Sequence, residues 1–110
     1  MPYTFCMFTF VETILFTKRV REYLSDEEYG ELQKTLIHDP EPGAVIRGSG
    51  GVRKIRWAVQ GRGKRGGIRV IYFVRHSKET IWMLTLYPKS VMDTIPGRVL
   101  KQIREEIEND

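Results

Sequence analysis

Lys54, Arg56 and Arg69 are the residues of this sequence whose type and spacing could do chemistry. They fall in residues 48–78, GSGGVRKIRWAVQGRGKRGGIRVIYFVRHSK, which hold nine Lys or Arg and no Asp or Glu. Lys54 and Arg56 are two apart, and on a strand that spacing puts both side chains on one face about 7 Å apart. Arg69 lies on the next β-like run and comes alongside the pair if the glycine-rich stretch 61–67 turns the chain back. Three cations on one sheet face repel one another, a cost to stability unless an anion meets them. Phosphate suits them, because arginine offers a bidentate fork and lysine a point charge. Arg53 beside them, with Arg62, Lys64 and Arg65 on the basic turn, extends the patch along a nucleic-acid backbone. Tyr87, at the end of a later strand, is a candidate stacking residue at the rim. The competing reading is that edge-strand cations merely discourage aggregation and a charged turn keeps the hairpin hydrated. Ten basic residues without one acid over 42–78 argue against it.

Charge is segregated along the whole chain. Residues 1–41 sum to −4, residues 42–78 to +10 and residues 79–110 to −2, for a net charge of +4. A single-sign block of this kind has a polyanion as its natural partner. The 110 residues suit one domain, 1–110, with one modest core, and a hydrophobic fraction of 41% excludes a disordered tail. No apolar run approaches the roughly 18 residues that cross a bilayer. The opening MPYTFCMFTFVETILF has no basic leader and no small-residue cleavage site, so it reads as structure and not as a signal peptide. Cys6 is the sole cysteine, which excludes an internal disulfide, suits a reducing cytoplasm and favours burial as a small hydrophobe. His38, His76 and Cys6 are too few and too scattered for a metal site, and no cofactor is expected. GSGG and GRGKRGG match neither a nucleotide P-loop nor the dinucleotide fingerprint and read as turns. Trp57, Trp82 and Tyr72 are read as packing residues.

The elements that must position the cations follow from periodicity. Residues 3–11 predict a first strand with apolar residues on both faces, which requires helical cover. TILFTKRVREYL places Ile14, Leu15, Val20 and Leu24 near helical spacing. Ser25 and Glu28 form a capping box for a second helix, with Asp26, Glu27 and Glu28 on its positive end. Tyr29, Leu32, Leu36 and Ile37 are its apolar stripe, and Pro40 and Pro42 stop it. The period then changes to two. Ile55, Trp57 and Val59 share one face of a strand over 52–60, and Lys54, Arg56 and Ala58 share the other. Residues 68–75 are the most β-like run and predict a central strand, and 80–87 a third hairpin-linked strand. Residues 91–95 suggest a helical turn, and 96–108 a final helix with Val99, Leu100, Ile103 and Ile107 inward. The order β-α-α-β-β-β-α describes an α+β fold with a mostly antiparallel sheet of about four strands.

That order, with the blocks GGVRKIRWAVQGRGKRGGIRVIYFV and WMLTLYPKS, resembles the RelE/HigB family of bacterial toxins from toxin–antitoxin pairs, and most the HigB-like branch of the RelE/ParE superfamily. The resemblance spans nearly the whole chain. It implies a RelE-like, microbial-ribonuclease-like sheet with two N-terminal helices packed on it and a C-terminal helix. It also implies metal-independent cleavage of mRNA on the ribosome, in which the RNA's own 2′-OH attacks the adjacent phosphorus and leaves a 2′,3′-cyclic phosphate. Lys54 and Arg56 then match the family's two basic positions on the second strand, and Arg69 matches the arginine that holds the scissile phosphate. Lys89 matches a position that is Arg or Lys in relatives. Lys54, flanked by both arginines, is the candidate base. Where many relatives carry a tyrosine a few residues beyond the Lys89 position, this chain has Thr94 and Ile95. The implied partner is a cognate antitoxin, HigA-like with a helix-turn-helix domain, and no membrane is involved. Two other readings stand beside this one: a gyrase-poisoning relative of the ParE kind, and a non-catalytic RNA- or ribosome-binding module.

Overall fold

The computed structural model describes residues 8–58, 67–88 and 95–108. Strand β1 (Thr9–Glu12) passes into helix α1 (Ile14–Tyr23) through one residue, Thr13. The Thr13 hydroxyl donates to the Leu84 carbonyl at 2.7 Å and accepts from the Phe16 N–H at 3.0 Å. One side chain therefore caps the helix and ties its start to the sheet. Helix α2 (Asp26–His38) begins at the expected capping box. The Glu28 N–H donates to Ser25 Oγ at 3.1 Å, and the Ser25 N–H donates to Glu28 Oε1 at 2.8 Å.

Strands β2 (Ala44–Val45), β3 (Arg53–Trp57), β4 (Ile68–Arg75) and β5 (Thr80–Pro88) complete one five-stranded sheet, ordered β1-β5-β4-β3-β2. Helix α3 (Gly97–Glu108) follows. The sheet is mostly antiparallel, as expected, and two features add to the expected arrangement of about four strands. β2 is two residues long, too short to write an alternating pattern. β1 pairs with β5 in parallel, from Thr9 opposite Thr80 to Glu12 opposite Met83. Pairing between strands so remote in sequence leaves no local mark.

Alternation along β4 divides the sheet into two apolar faces. Ile68, Val70, Tyr72 and Val74 join Phe16, Val20, Leu24, Leu32 and Leu36 beneath α1 and α2. Ile71 and Phe73 join Val52, Leu84, Tyr87, Leu100 and Ile107 beneath α3. Each fully buried Leu, Ile or Phe contributes about 1.5–3 kcal/mol of transfer free energy. Some residues assigned inward by spacing lie outside. Ile14 is 78% exposed, and Leu15, Ile37 and Val99 are also exposed. Val20 and Leu24 are buried as expected, and the Thr13 cap sets the phase of α1 so that Phe16, and not Ile14 or Leu15, faces the sheet beside Val20.

GSGG is a turn, as expected. Gly48 and Gly50 sit at φ 76 and 75, and buried Ser49 Oγ donates to the Ile46 carbonyl at 2.6 Å and accepts from the Val52 N–H at 3.0 Å. The start of α3 rests directly on this turn: a methyl group at Gly97 would overlap the Arg47 carbonyl oxygen. Arg104, two turns on, lies 5.3 Å from the centre of the Phe73 ring. α3 thus covers the Val52 and Phe73 end of its sheet face. Cys6, the basic turn and the helical turn expected at 91–95 lie outside the described residues, the last apart from Ile95. Among the described residues, no helix is long and apolar enough to cross a membrane.

Candidate nucleic-acid interface

Strand register assembles the cations. Arg56 of β3 lies directly opposite Arg69 of β4, and Arg69 lies directly opposite Tyr87 of β5. Lys54 lies opposite Ile71, which in turn faces Thr85. Residues two apart on a strand share a face, so two successive rungs, Arg56–Arg69–Tyr87 and Lys54–Ile71–Thr85, lie side by side about 7 Å apart. This is the face that carries α3, because Ile71 and Tyr87 belong to the apolar cluster around Leu100 and Ile107. The three cations predicted to converge are therefore on one face of two adjacent strands. Directly paired side chains begin about 4.5–5.5 Å apart at Cβ, which brings Arg56 and Arg69 within reach of one phosphate group.

The three differ in burial. Arg69 is 6% exposed, Lys54 is half-buried and Arg56 is exposed. Arg69, which has interaction partners of its own, forms part of the floor. A cation held in place before an anion arrives stabilises it without reorganisation cost. Among the described residues, neither Lys54 nor Arg56 has a carboxylate within ion-pair distance or a side-chain hydrogen bond. An unneutralised cation of this kind attracts phosphate, by charge and by the hydrogen bonds it is free to donate. No group of three or more His, Cys, Asp or Glu among the described residues could hold a metal ion.

Two sequence expectations change here. Arg53, grouped with the RNA-contacting residues, points to the opposite face. It pairs with Tyr72 across β3–β4, and its guanidinium donates to the Gly43 carbonyl at 2.7 Å and to Glu41 Oε2 at 3.2 Å. The cause is alternation itself, since an odd-numbered residue on β3 cannot share a face with Lys54 and Arg56. Tyr87, expected at the rim, is 1% exposed and packs with Ile71, Phe73 and Leu100, so its ring offers no open stacking surface. It walls the arginine rung. Arg62, Lys64, Arg65 and Lys89 lie outside the described residues. Trp57 and Trp82 are half-buried against the two apolar clusters, as packing residues. Thr85, buried on the site face at 5% exposure, carried no signal in the sequence because a lone threonine in an apolar strand reads as filler.

On the opposite face two tyrosines are perturbed. Burial, then the hydrogen bond it donates to Glu12 at 2.7 Å, pushes the Tyr29 hydroxyl above its ordinary pKa. Burial raises that of Tyr72, against a smaller lowering by the Gly43 N–H that it accepts.

The chain is similar to known proteins in sequence and fold. The sequence model of the RelE toxin of the RelE/RelB toxin–antitoxin system matches residues 37–108. A mutant E. coli RelE toxin in the free state superposes with a TM-score of 0.58 at 17% identity, covering 88% of this chain and 96% of that one. RelE in the archaeal RelE–RelB complex of Pyrococcus horikoshii OT3 gives a TM-score of 0.53 at 22% identity, over 74% of this chain and 94% of that one. The E. coli RelBE toxin–antitoxin complex gives 0.54 at 18% identity, over 74% and 96%.

Proposed function

Since this chain belongs to the RelE toxin family of toxin–antitoxin systems, we propose that it is a translation-inhibiting toxin that cuts mRNA on the ribosome. Toxins of this family are endoribonucleases. The observation that carries the reading is the register that sets Arg56 opposite Arg69, with Lys54 on the same face. In the proposed reaction Lys54 takes the proton from the 2′-OH, and the 2′-oxygen attacks the adjacent phosphorus. The bond from phosphorus to the 5′-oxygen breaks, that oxygen takes a proton from solvent, to which Lys54 returns the one it took, and the products are a 2′,3′-cyclic phosphate and a 5′-hydroxyl. Arg69 and Arg56 hold the phosphoryl oxygens as negative charge builds on them. By the family pattern Lys89, which follows β5, joins them, and Arg62, Lys64 and Arg65 steer the RNA backbone. The chemistry proceeds without a metal.

The same charge supports an antitoxin partner, of the HigA-like, helix-turn-helix kind that the motif block implies. An acidic segment laid over Lys54 and Arg56 would cancel the field that draws RNA. Ribosomes and mRNA as targets place the toxin in the cytoplasm.

The test is induction of wild type and of Arg69→Ala in bacteria, with primer extension on messages that are translated and on messages that are not. Wild type should arrest growth and cut only translated messages, and Arg69→Ala should be weaker by about 10²–10³. Equal arrest and equal cutting by both would refute the reading. DNA-damage induction without cut RNA would point to gyrase poisoning, and tight RNA binding without product to a non-catalytic module.

A further inference from the structure

Behind the cationic face, on the other side of β3, Glu41, Gly43, Arg53, Tyr72 and His76 are joined in one network. Arg53 Nη1 donates to the Gly43 carbonyl at 2.7 Å, and Arg53 Nη2 donates to Glu41 Oε2 at 3.2 Å. His76 Nε2 lies 3.2 Å from that same oxygen. The Gly43 N–H donates to Tyr72 Oη at 3.0 Å. The Gly43 residue is therefore held at both its N–H and its carbonyl, by side chains from β3 and β4. Arg53 is half-buried with 20% side-chain exposure, and Tyr72 is fully buried.

We propose that this clamp positions Lys54, with Arg53 as its central residue. Gly43 lies against the Lys54 backbone so closely that a methyl group there would sit 2.8 Å from the Lys54 carbonyl oxygen. The next residue, Ala44, pairs with Lys54, and Val45 with Arg53. There β2 ends. Among the described residues, Ile55, Arg56 and Trp57 are paired on the β4 side only, so Lys54 is the last residue of β3 held from both sides. A two-residue strand has too few ladder bonds to stay in place unaided. The Arg53 fork, the Glu41 carboxylate and the Tyr72 hydroxyl supply what the short ladder lacks. Releasing them frees the 41–45 segment and loosens the backbone from which the Lys54 amino group is aimed. Displacement of a reacting group by about 1 Å costs on the order of 10²-fold in rate. Arg53 touches no substrate from its side of the sheet and is a positioning residue. The inference rests on the reading of the opposite face as the RNA-cleaving site.

The experiment is a double-mutant cycle on single-turnover mRNA cleavage with ribosomes, using Arg53→Gln and Lys54→Ala, closed with Lys54→Arg if Lys54→Ala falls below detection. Arg53→Gln should cut about 10- to 100-fold more slowly than wild type. In the Lys54 variant background the same substitution should change the rate by less than about 2-fold, because its effect passes through Lys54. Tyr72→Phe, which removes the other grip on Gly43, should behave like Arg53→Gln. An equal loss in both backgrounds, as general destabilisation or direct RNA contact would give, overturns the proposal. So does a rate for Arg53→Gln within 2-fold of wild type. Hydrogen exchange on the free protein separates this failure from that of the cleavage reading. Loss of protection at residues 52–54 in Arg53→Gln upholds the clamp even if wild type cuts no RNA, and unchanged protection overturns it.

Discussion

Tyr72→Phe isolates one oxygen atom, and the structure sets its worth. Tyr72 is fully buried, and its Oη accepts the N–H of Gly43, which is buried too. A methyl group at Gly43 would stand 2.9 Å from that hydroxyl and 2.8 Å from the Lys54 carbonyl, so the surroundings are already close-packed. Removing the hydroxyl vacates about one oxygen's volume, less than the site a water molecule needs, so no solvent replaces the lost acceptor. The buried N–H is then left unsatisfied, which costs about 1–3 kcal/mol. For a domain of 110 residues, at about 4 °C per kcal/mol, the melting temperature should fall by about 4–12 °C. Circular dichroism melts at pH 7 of purified wild type and Tyr72→Phe make the measurement. A melting temperature within about 1 °C of wild type would refute the reasoning, since it would mean the Gly43 N–H finds another acceptor at no cost. Gly43→Ala adds a check. Each single substitution disturbs the same contact, so the double variant should lose less than the sum of the singles.

Tyr29 and Tyr72 both have hydroxyl pKa values raised in the folded state, so the folded protein keeps protons that the unfolded chain releases above about pH 10. Their stabilising contribution is complete below pH 10 and declines as pH rises through the folded-state values; denaturant melts at pH 8 and pH 10.5 should show the loss, smaller in Tyr29→Phe. Gly97→Ala places a methyl group against the Arg47 carbonyl and should lift α3 from the 47–50 turn, costing about 1–3 kcal/mol in urea unfolding. Ser25→Ala breaks the capping box of α2 and should cost about 1 kcal/mol in the same assay. Arg56→Gln should lower the slope of log affinity for single-stranded RNA against log salt by about one phosphate contact, read by fluorescence anisotropy over a salt series.

Much of this protein is legible in its sequence. The capping box at Ser25 and Glu28 is a local bargain between two side chains and two N–H groups, and it needs nothing distant. The faces of β3 and β4 follow from alternation, because the side-chain period of a strand is two. Lys54 and Arg56 were therefore bound to project together. The charge block at 42–78 is a property of composition alone.

What only the tertiary structure decided depends on partners far apart in the chain. The alignment of Arg56 with Arg69 and of Arg69 with Tyr87 is a matter of register, and the irregularity between Ile71 and Tyr72 shifts that register midway along β4 and β5. The parallel pairing of β1 with β5 joins residues about seventy positions apart, and no local pattern encodes it. Arg53 shows the limit most plainly: its type and neighbourhood suggested RNA, yet the carboxylate of Glu41 and the carbonyl of Gly43 wait on the other face. A residue's own chemistry is written in the sequence. What it meets is settled by packing, because free energy is gained only when remote segments close on one another.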